Sequence, residues 1–179
     1  NNSSKVKAEK MIGDGIEMKH MNAFIPPPQK EYDEVGITGI FLSDYIFWDD
    51  ERQTEFVCDV YGWKEHSAEG TYKHYKSAGC KMVGVHDYAK FVKRGFGRGT
   101  DHANYDIRLN LITRKDGIKI VLKYDHVVPS DLEGWCKYVK MTKEEFYEHA
   151  DKFRDPRVWN KIDGSWTKID IDGKRRVYD

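Results

Sequence analysis

The chain has 179 residues, and its 30 Lys and Arg residues balance its 30 Asp and Glu residues, which gives a formal net charge of zero. This length predicts one domain with a core of its own, and the zero net charge gives no electrostatic case for binding nucleic acid or acidic lipid. Aromatic residues make up 13% of the chain, which argues against disorder. No apolar run reaches the roughly 20 residues that a membrane span needs. The three cysteines include no CxxC pair, so neither a zinc ribbon nor a disulfide scaffold is indicated.

The amino-terminal part of the chain predicts a linker followed by one buried strand. Residues 1–19 are mostly polar, and three consecutive prolines at residues 26–28 form a stiff spacer that excludes helix, so we expect a mobile linker over residues 1–30. Residues 39–48 are apolar at nearly every position and rich in β-branched and aromatic side chains. That pattern predicts a strand covered on both faces.

Short helices dominate the rest of the prediction. The first begins near Asp50 and ends before Gly62, which has the position of a C-terminal capping glycine. Its apolar face consists of Phe56, Val57, Val60 and Tyr61. Residues 63–80 show no period and predict a long loop, a feature that is often functional.

Further helices are predicted at residues 85–94, 101–112, 113–122, 129–138 and 142–153. A Thr-Asp pair, Thr100 and Asp101, is the candidate N-cap of the second of these. Residues 165–178 predict a β-hairpin that turns at Asp172 and Gly173. The predicted fold class is therefore mainly α, with one buried strand and a C-terminal β-hairpin.

The glycine-rich run at residues 95–102 has two explanations. A flexible loop that enters a helix exposes unpaired N–H groups and the positive end of the helix dipole, so Arg98 and Arg108 could help it to bind an anion. Alternatively, the glycines only allow a tight corner between two packed helices. The residues themselves leave both explanations open.

Two histidines and two aspartates are candidate catalytic or metal-binding residues. His102 and Asp106 are four residues apart and share a helix face, so they could form an oriented general base, two metal ligands or an ordinary surface hydrogen bond. His86 and Asp87 carry the same ambiguity. All four together would suit a small metal-dependent hydrolase.

The loop at residues 69–75 mixes acidic, hydroxyl, cationic and aromatic side chains. Such a mixture suits the recognition of a sugar or a nucleotide, because stacking and several hydrogen bonds are needed there. A solvated loop whose tyrosines fold onto the helices would have the same composition.

Several runs together resemble the C-terminal half of the N-acetyl sugar amidotransferase family, in the PP-loop ATP pyrophosphatase (adenine nucleotide α-hydrolase-like) superfamily. The resemblance is densest at the Gly-Phe-Gly-Arg-Gly-Thr-Asp-His run of residues 95–102. The other runs are residues 39–49, 69–72, 86–88, 107–108, 142–146 and 151–154. The similarity covers about residues 30–165, and it implies that the chain is the C-terminal part of an α/β PP-loop enzyme.

The resemblance implies a cytoplasmic bacterial enzyme of lipopolysaccharide and O-antigen biosynthesis. Such enzymes convert the acetamido group of a nucleotide-activated sugar into an acetamidino group. ATP, with Mg²⁺, adenylylates the amide oxygen and releases pyrophosphate, and ammonia from a partner glutaminase then displaces AMP. Neither nucleic acid nor membrane is an expected partner, and the number of subunits, including a homo-oligomer, stays open.

One departure from the family pattern is large. The nucleotide signature, a Ser-Gly-Gly-x-Asp-Ser loop, does not occur in this sequence, nor do the paired cysteines expected near the family's amino terminus. We therefore expect that ATP and Mg²⁺ bind mainly to an N-terminal half that this sequence lacks, and that this chain alone is inactive. The predicted organisation is a linker at residues 1–30, a helical substrate-binding part at residues 31–164 and the hairpin at residues 165–179.

On this resemblance, His102 and Asp106 are the catalytic candidates, which would bind the sugar or move protons as ammonia attacks. The candidates for binding phosphate or other parts of the substrate are Arg98, Gly99, Thr100, Asp101, Arg108, Glu69, Thr71, Tyr72 and His86. No metal ligand is predicted. The competing hypothesis is a non-catalytic helical docking module.

Overall fold

The computed structural model describes residues 8–13, 15–80 and 82–178, and the chain divides into two units, Asn1–Asp50 and Glu51–Asp179. The first unit contains helices α1 (Met18–Met21) and α2 (Gln29–Val35). Turns of 3-10 helix occur at Ala8–Met11, Asn22–Phe24 and Leu42–Asp44. As predicted, the three prolines at residues 26–28 are not helical. Residues 1–7 and 14 of the predicted linker lie outside the described residues.

The predicted buried strand at residues 39–48 is wrong. The segment has no strand and contains only the 3-10 turn at Leu42–Asp44, and its side chains are exposed, with Ile40 at 65% and Phe47 at 79%. A strand needs a neighbour to receive its backbone hydrogen bonds, and the described residues of the first unit include no strand that could pair with it. Apolar composition alone therefore predicted burial where the described part of the first unit supplies no strand to pair with.

The second unit is a set of helices followed by a small sheet. The helices are α3 (Asp50–Tyr61), α4 (Val83–Arg94), α5 (Arg98–Arg108), α6 (Arg114–Tyr124), α7 (Leu132–Val139) and α8 (Lys143–Asp151). The strands β1 (Trp159–Ile162), β2 (Ser165–Ile169) and β3 (Arg175–Val177) form an antiparallel sheet in the order β1-β2-β3. The mainly helical fold class with a C-terminal β-hairpin is thus confirmed.

Local capping signals explain where the predicted helices begin. The Thr113 hydroxyl accepts a hydrogen bond from the Asp116 amide at 3.2 Å at the start of α6. At the start of α8, Thr142 and Glu145 form a reciprocal capping box, with contacts of 3.1 and 2.7 Å. These contacts satisfy N–H groups that have no partner within the helix.

Two boundaries differ from the prediction. Helix α5 begins at Arg98 with Gly97 as its N-cap, so Thr100 and Asp101 lie in its first turn instead of capping it. Strand β1 was not predicted, although Asp163 and Gly164, both with positive φ, form the tight turn that joins it to β2.

The core of the second unit is built around α4. Its buried side chains are Val85, Tyr88, Phe91 and Val92. They pack in one cluster with Leu132 and Cys136 of α7, Phe146 of α8 and Trp159 of β1. Phe91 meets Trp159 edge to face, with 5.5 Å between ring centroids. The core therefore fixes α4, and α5 follows it directly through the turn at residues 95–97.

Gly95 has a conformation and a position that other residues cannot share. It ends α4 with a φ of +75°, and its amide donates to the Phe91 carbonyl at 2.7 Å. A Cβ at this position would lie 2.5 Å from Cγ1 of Val158. Both the left-handed backbone and the close approach of the segment before β1 require glycine.

We expect Gly95→Ala to lower the free energy of unfolding by about 2–4 kcal/mol, because it adds left-handed backbone strain to an overpacked contact. The matched control is Gly134→Ala in α7, where an added Cβ meets nothing within 4 Å. That control should leave stability unchanged or raise it by up to about 1 kcal/mol. Urea unfolding of both variants measures the difference in their free energies of unfolding. Equal destabilisation by the two substitutions would contradict the requirement for glycine at position 95.

Candidate functional site

Three consecutive residues of the long loop at residues 62–80 contact one face of α5. The hydroxyl oxygen of the fully buried Thr71 lies 2.6 Å from Nδ1 of His102. The Tyr72 hydroxyl donates to Oδ2 of Asp106, and Nζ of Lys73 lies 2.9 Å from its Oδ1. The shared face that the spacing of His102 and Asp106 predicts is therefore present, and it faces the loop that was predicted to bind substrate.

Lys73 and Asp106 form a buried ion pair. Both side chains are more than nine-tenths buried, and the Lys73 ammonium also lies 3.0 Å from Oε2 of Glu51 on α3. Burial lowers the pKa of Lys73, but its contacts with Asp106 and Glu51 outweigh burial and raise the pKa above its ordinary value. Burial and the hydrogen bond to Asp106 raise the pKa of Tyr72. At neutral pH, Lys73 is therefore charged and Tyr72 is protonated.

His102 is the partly exposed member of this group. Burial, together with the nearby cations Lys76, Arg98 and Lys73, lowers the pKa of His102 to about 4, against the opposing effect of Asp101. The imidazole is therefore neutral at pH 7. The three cations also make the surroundings of this ring electropositive.

Arg98 does not stand free at the start of α5. Its Nη2 and Nε donate to Oδ1 of the buried Asp87 at 2.7 and 3.2 Å. Asp87 also accepts from the Ser77 hydroxyl at 2.8 Å, and Nδ1 of the exposed His86 lies 3.1 Å from it. Burial raises the pKa of Asp87, but these hydrogen bonds outweigh burial and lower it. Arg98 thus ties α5 to α4, while 31% of its side chain stays exposed.

The N-terminus of α5 is already occupied by a carboxylate of the protein. Asp125, which follows α6, accepts from the amides of Gly97 and Thr100 at 2.8 Å each and from the Thr100 hydroxyl. A Cβ on Gly97 would lie 2.9 Å from the Asp125 carbonyl oxygen, and one on Gly99 would lie 2.7 Å from its Oδ1. Of the two explanations for the glycine-rich run, the geometry favours the helix corner. The Thr100 amide, predicted to hold phosphate, donates to Asp125 instead.

The remaining predicted residues are spread more widely. Arg108 is exposed at the last residue of α5, about 15 Å along the helix from Arg98. Oε2 of the exposed Glu69 accepts from the Ser130 amide at 2.7 Å. Asp101 pairs with Lys90 of α4. The structure thus brings together the predicted loop residues and one face of α5, but it does not bring Arg108 to the start of that helix.

The hypothesis of a metal-dependent hydrolase requires four grouped ligands. Among the described residues, no three His, Cys, Asp or Glu side chains are placed so that they could hold a metal ion. Asp87 pairs with Arg98, and Asp106 pairs with Lys73. This part of the chain therefore lacks the ligand cluster that the hypothesis needs.

Four residues of the site were not singled out from the sequence. They are Glu51, Lys73, Ser77 and Asp125. Lys73 lies within the loop that the sequence indicated, and its position next to Thr71 and Tyr72 was a signal. Asp125 follows α6 as an ordinary acidic residue, and no local pattern shows that it reaches α5.

The site lies in a part of the chain that matches a known protein family. A family model described as "LPS biosynthesis protein WbpG-like, C-terminal domain" matches residues 69–170, more than half of the chain. No curated protein matches this sequence. The match begins at the loop and includes α4 and α5, so it contains every predicted site residue. Among the described helices, none has the length and apolarity required to cross a membrane.

We expect Asp125→Ala to destabilise the second unit by about 2–3 kcal/mol, because two amides and one hydroxyl lose their acceptor at the helix start. Amide hydrogen exchange at Gly97 and Thr100 should become faster. Asp131→Ala is the control, since this exposed residue precedes α7 without a side-chain capping hydrogen bond. Unchanged exchange at Thr100 in the Asp125 variant would show that the carboxylate does not cap α5.

Proposed function

The chain belongs to the family of WbpG-like LPS biosynthesis proteins, and from this premise we propose that it forms the substrate-binding part of an ATP-dependent N-acetyl sugar amidotransferase. The proposed reaction replaces the oxygen of an acetamido group on a nucleotide-activated sugar by nitrogen from ammonia. Such a reaction uses ATP and nucleotide-activated sugars, so the proposal implies a cytoplasmic enzyme that modifies O-antigen precursors.

One observation carries the proposal: the loop residues 71–73 and the α5 pair His102 and Asp106, all within the matched family region, meet in one polar cluster. Asp106 and Lys73 hold the loop against α5 and neutralise each other. His102 keeps an uncharged ring at the edge of this cluster, in electropositive surroundings. Such an edge suits a phosphorylated substrate, because 31% of the Arg98 side chain stays exposed and its guanidinium can donate further hydrogen bonds to a phosphate oxygen.

The residues present do not fit the phosphates of ATP at the start of α5, since Asp125 occupies the Thr100 amide there. The proposal therefore assigns ATP and Mg²⁺ to the nucleotide-binding part of a longer enzyme. When bound there, ATP supplies the adenylyl group that activates the amide oxygen. The residues of this chain position the sugar nucleotide and its acetamido group.

The test is the activity of the longer enzyme that contains this chain, with ATP, ammonia and an acetamido sugar nucleotide. Formation of AMP and a product in which NH replaces O, followed by mass spectrometry, would support the proposal. We expect His102→Gln to lower kcat/KM by about 10–10²-fold, the range for loss of one hydrogen bond to a charged group of the substrate.

The control for this variant is His149→Gln, on the exposed face of α8. It should leave kcat/KM within about 2-fold of the unmodified enzyme. Equal losses of kcat/KM in the two variants would show that the site does not lie at α5. Absence of the amidino product would overturn the proposed reaction.

A second candidate function is favoured by α3. The predicted apolar face of this helix is exposed, with Phe56 at 56%, Val60 at 57% and Tyr61 at 74%. Carboxylates at Glu55 and Asp59 lie on the same helix. An apolar patch beside acidic side chains fits a protein partner whose surface has apolar residues bordered by basic ones. We assign this docking surface to the glutaminase that would supply ammonia.

This assignment predicts a split between two nitrogen sources. In the longer enzyme with its glutaminase, the double variant Phe56→Ser, Val60→Ser should lose at least about 10-fold of its glutamine-dependent activity, because partner binding weakens. Its activity with free ammonia should be unchanged. Phe153→Ser, which alters another exposed aromatic residue, is the control. Equal loss with both nitrogen sources would contradict docking at α3.

A further inference from the structure

The hydrogen bonds of the Thr71 hydroxyl determine which nitrogen of His102 carries a proton. Oγ1 of Thr71 accepts the Lys73 amide hydrogen at 3.2 Å and lies 2.6 Å from Nδ1 of His102. Thr71 is fully buried, and among the described residues its hydroxyl has no other hydrogen-bonding partner. If Nδ1 donated to Thr71, the hydroxyl proton would be left without an acceptor, which is costly in a buried site. The arrangement that satisfies every group has the hydroxyl donating to Nδ1.

The ring then carries its proton on Nε2. A neutral imidazole has one N–H and one acceptor nitrogen, and the acceptor is Nδ1. The charged groups around the ring are the cations Lys73, Lys76 and Arg98, and the carboxylate of Asp101. Addition of a second proton would place a cation beside three others and would force Nδ1 to donate. Both effects hold the ring in its neutral form.

The Nε2–H group is available to a ligand. In the part of the chain that the structure describes, no hydrogen bond to Nε2 is present, and this atom is not among the enclosed polar atoms that lack a partner. His102 is partly exposed. One side of the ring is thus fixed by Thr71, and the opposite side carries a donor at an electropositive edge.

We propose that His102 is a fixed hydrogen-bond donor, through Nε2–H, to an anionic phosphoryl oxygen of the substrate. This inference rests on the proposed function for the identity of the substrate, but its account of the ring does not. It replaces the expectation that His102 acts as a general base, because the only basic nitrogen of the neutral ring is turned toward the buried Thr71. His102 would recognise charge at the phosphoryl group without taking up a proton from ammonia.

Nitrogen-15 NMR of the histidine rings in the 179-residue chain tests the tautomer directly. The His102 signals are identified by their loss in His102→Gln. We expect the Nε2–H pattern to persist from about pH 8 to about pH 5, which lies above the lowered pKa. Thr71→Val should convert the pattern to a mixture of tautomers, and Thr71→Ser should retain it. An Nδ1–H tautomer, or a protonated ring at pH 7, would overturn the proposal.

The ligand is tested in the same spectra with two probes. Inorganic pyrophosphate should shift the His102 Nε2 and Nε2–H signals, whereas acetamide, a neutral amide, should leave them in place. A shift with acetamide alone, or with neither probe, would overturn the phosphoryl assignment. These spectra require no turnover, so an inactive longer enzyme would count against the proposed function and leave the ring assignment standing.

Discussion

The hydrogen bonds of Asp125 to the start of α5 are the interaction on which the site depends. A carboxylate at the end of α6 takes the place of an external anion and satisfies amides that a helix cannot satisfy itself. Glycines at positions 97 and 99 leave the space that this carboxylate needs. These contacts fix the start of α5. His102 and Asp106, one and two helical turns further along, therefore have side chains that point in a fixed direction, toward the loop.

Polar contacts hold residues 71–73 of the loop, and none of these three residues belongs to the apolar core cluster. Lys73 is buried, and an isolated buried ammonium would be strongly unfavourable. Asp106 and Glu51 compensate it, and Tyr72 adds a hydrogen bond to the same carboxylate. Removal of Lys73 would leave the buried Asp106 carboxylate without its cation, so the loop and α5 keep their arrangement as a unit. A cluster held in this way is preorganised for the substrate that we propose.

Local signals in the sequence predicted most of the fold. Thr113 and Thr142 begin helices where their capping patterns indicate, and Gly62 and Gly95 end helices with left-handed backbone. The strand at residues 39–48 failed because strand formation depends on a distant partner, which an apolar run does not reveal. The same limit applied to the site. The i, i+4 spacing of His102 and Asp106 predicted their common face, but the contacts of Asp125 and Glu51 join residues that are far apart in the chain.

Lys73 is shared between two helices, since its ammonium contacts Glu51 on α3 and Asp106 on α5. Two carboxylates on separate elements therefore compete for one cation, and the position of either helix affects the charge balance of the other. If α3 moved away and this contact broke, Asp106 would be left as the carboxylate that holds Lys73. A single buried lysine of the loop thus joins a surface helix to the helix that carries His102.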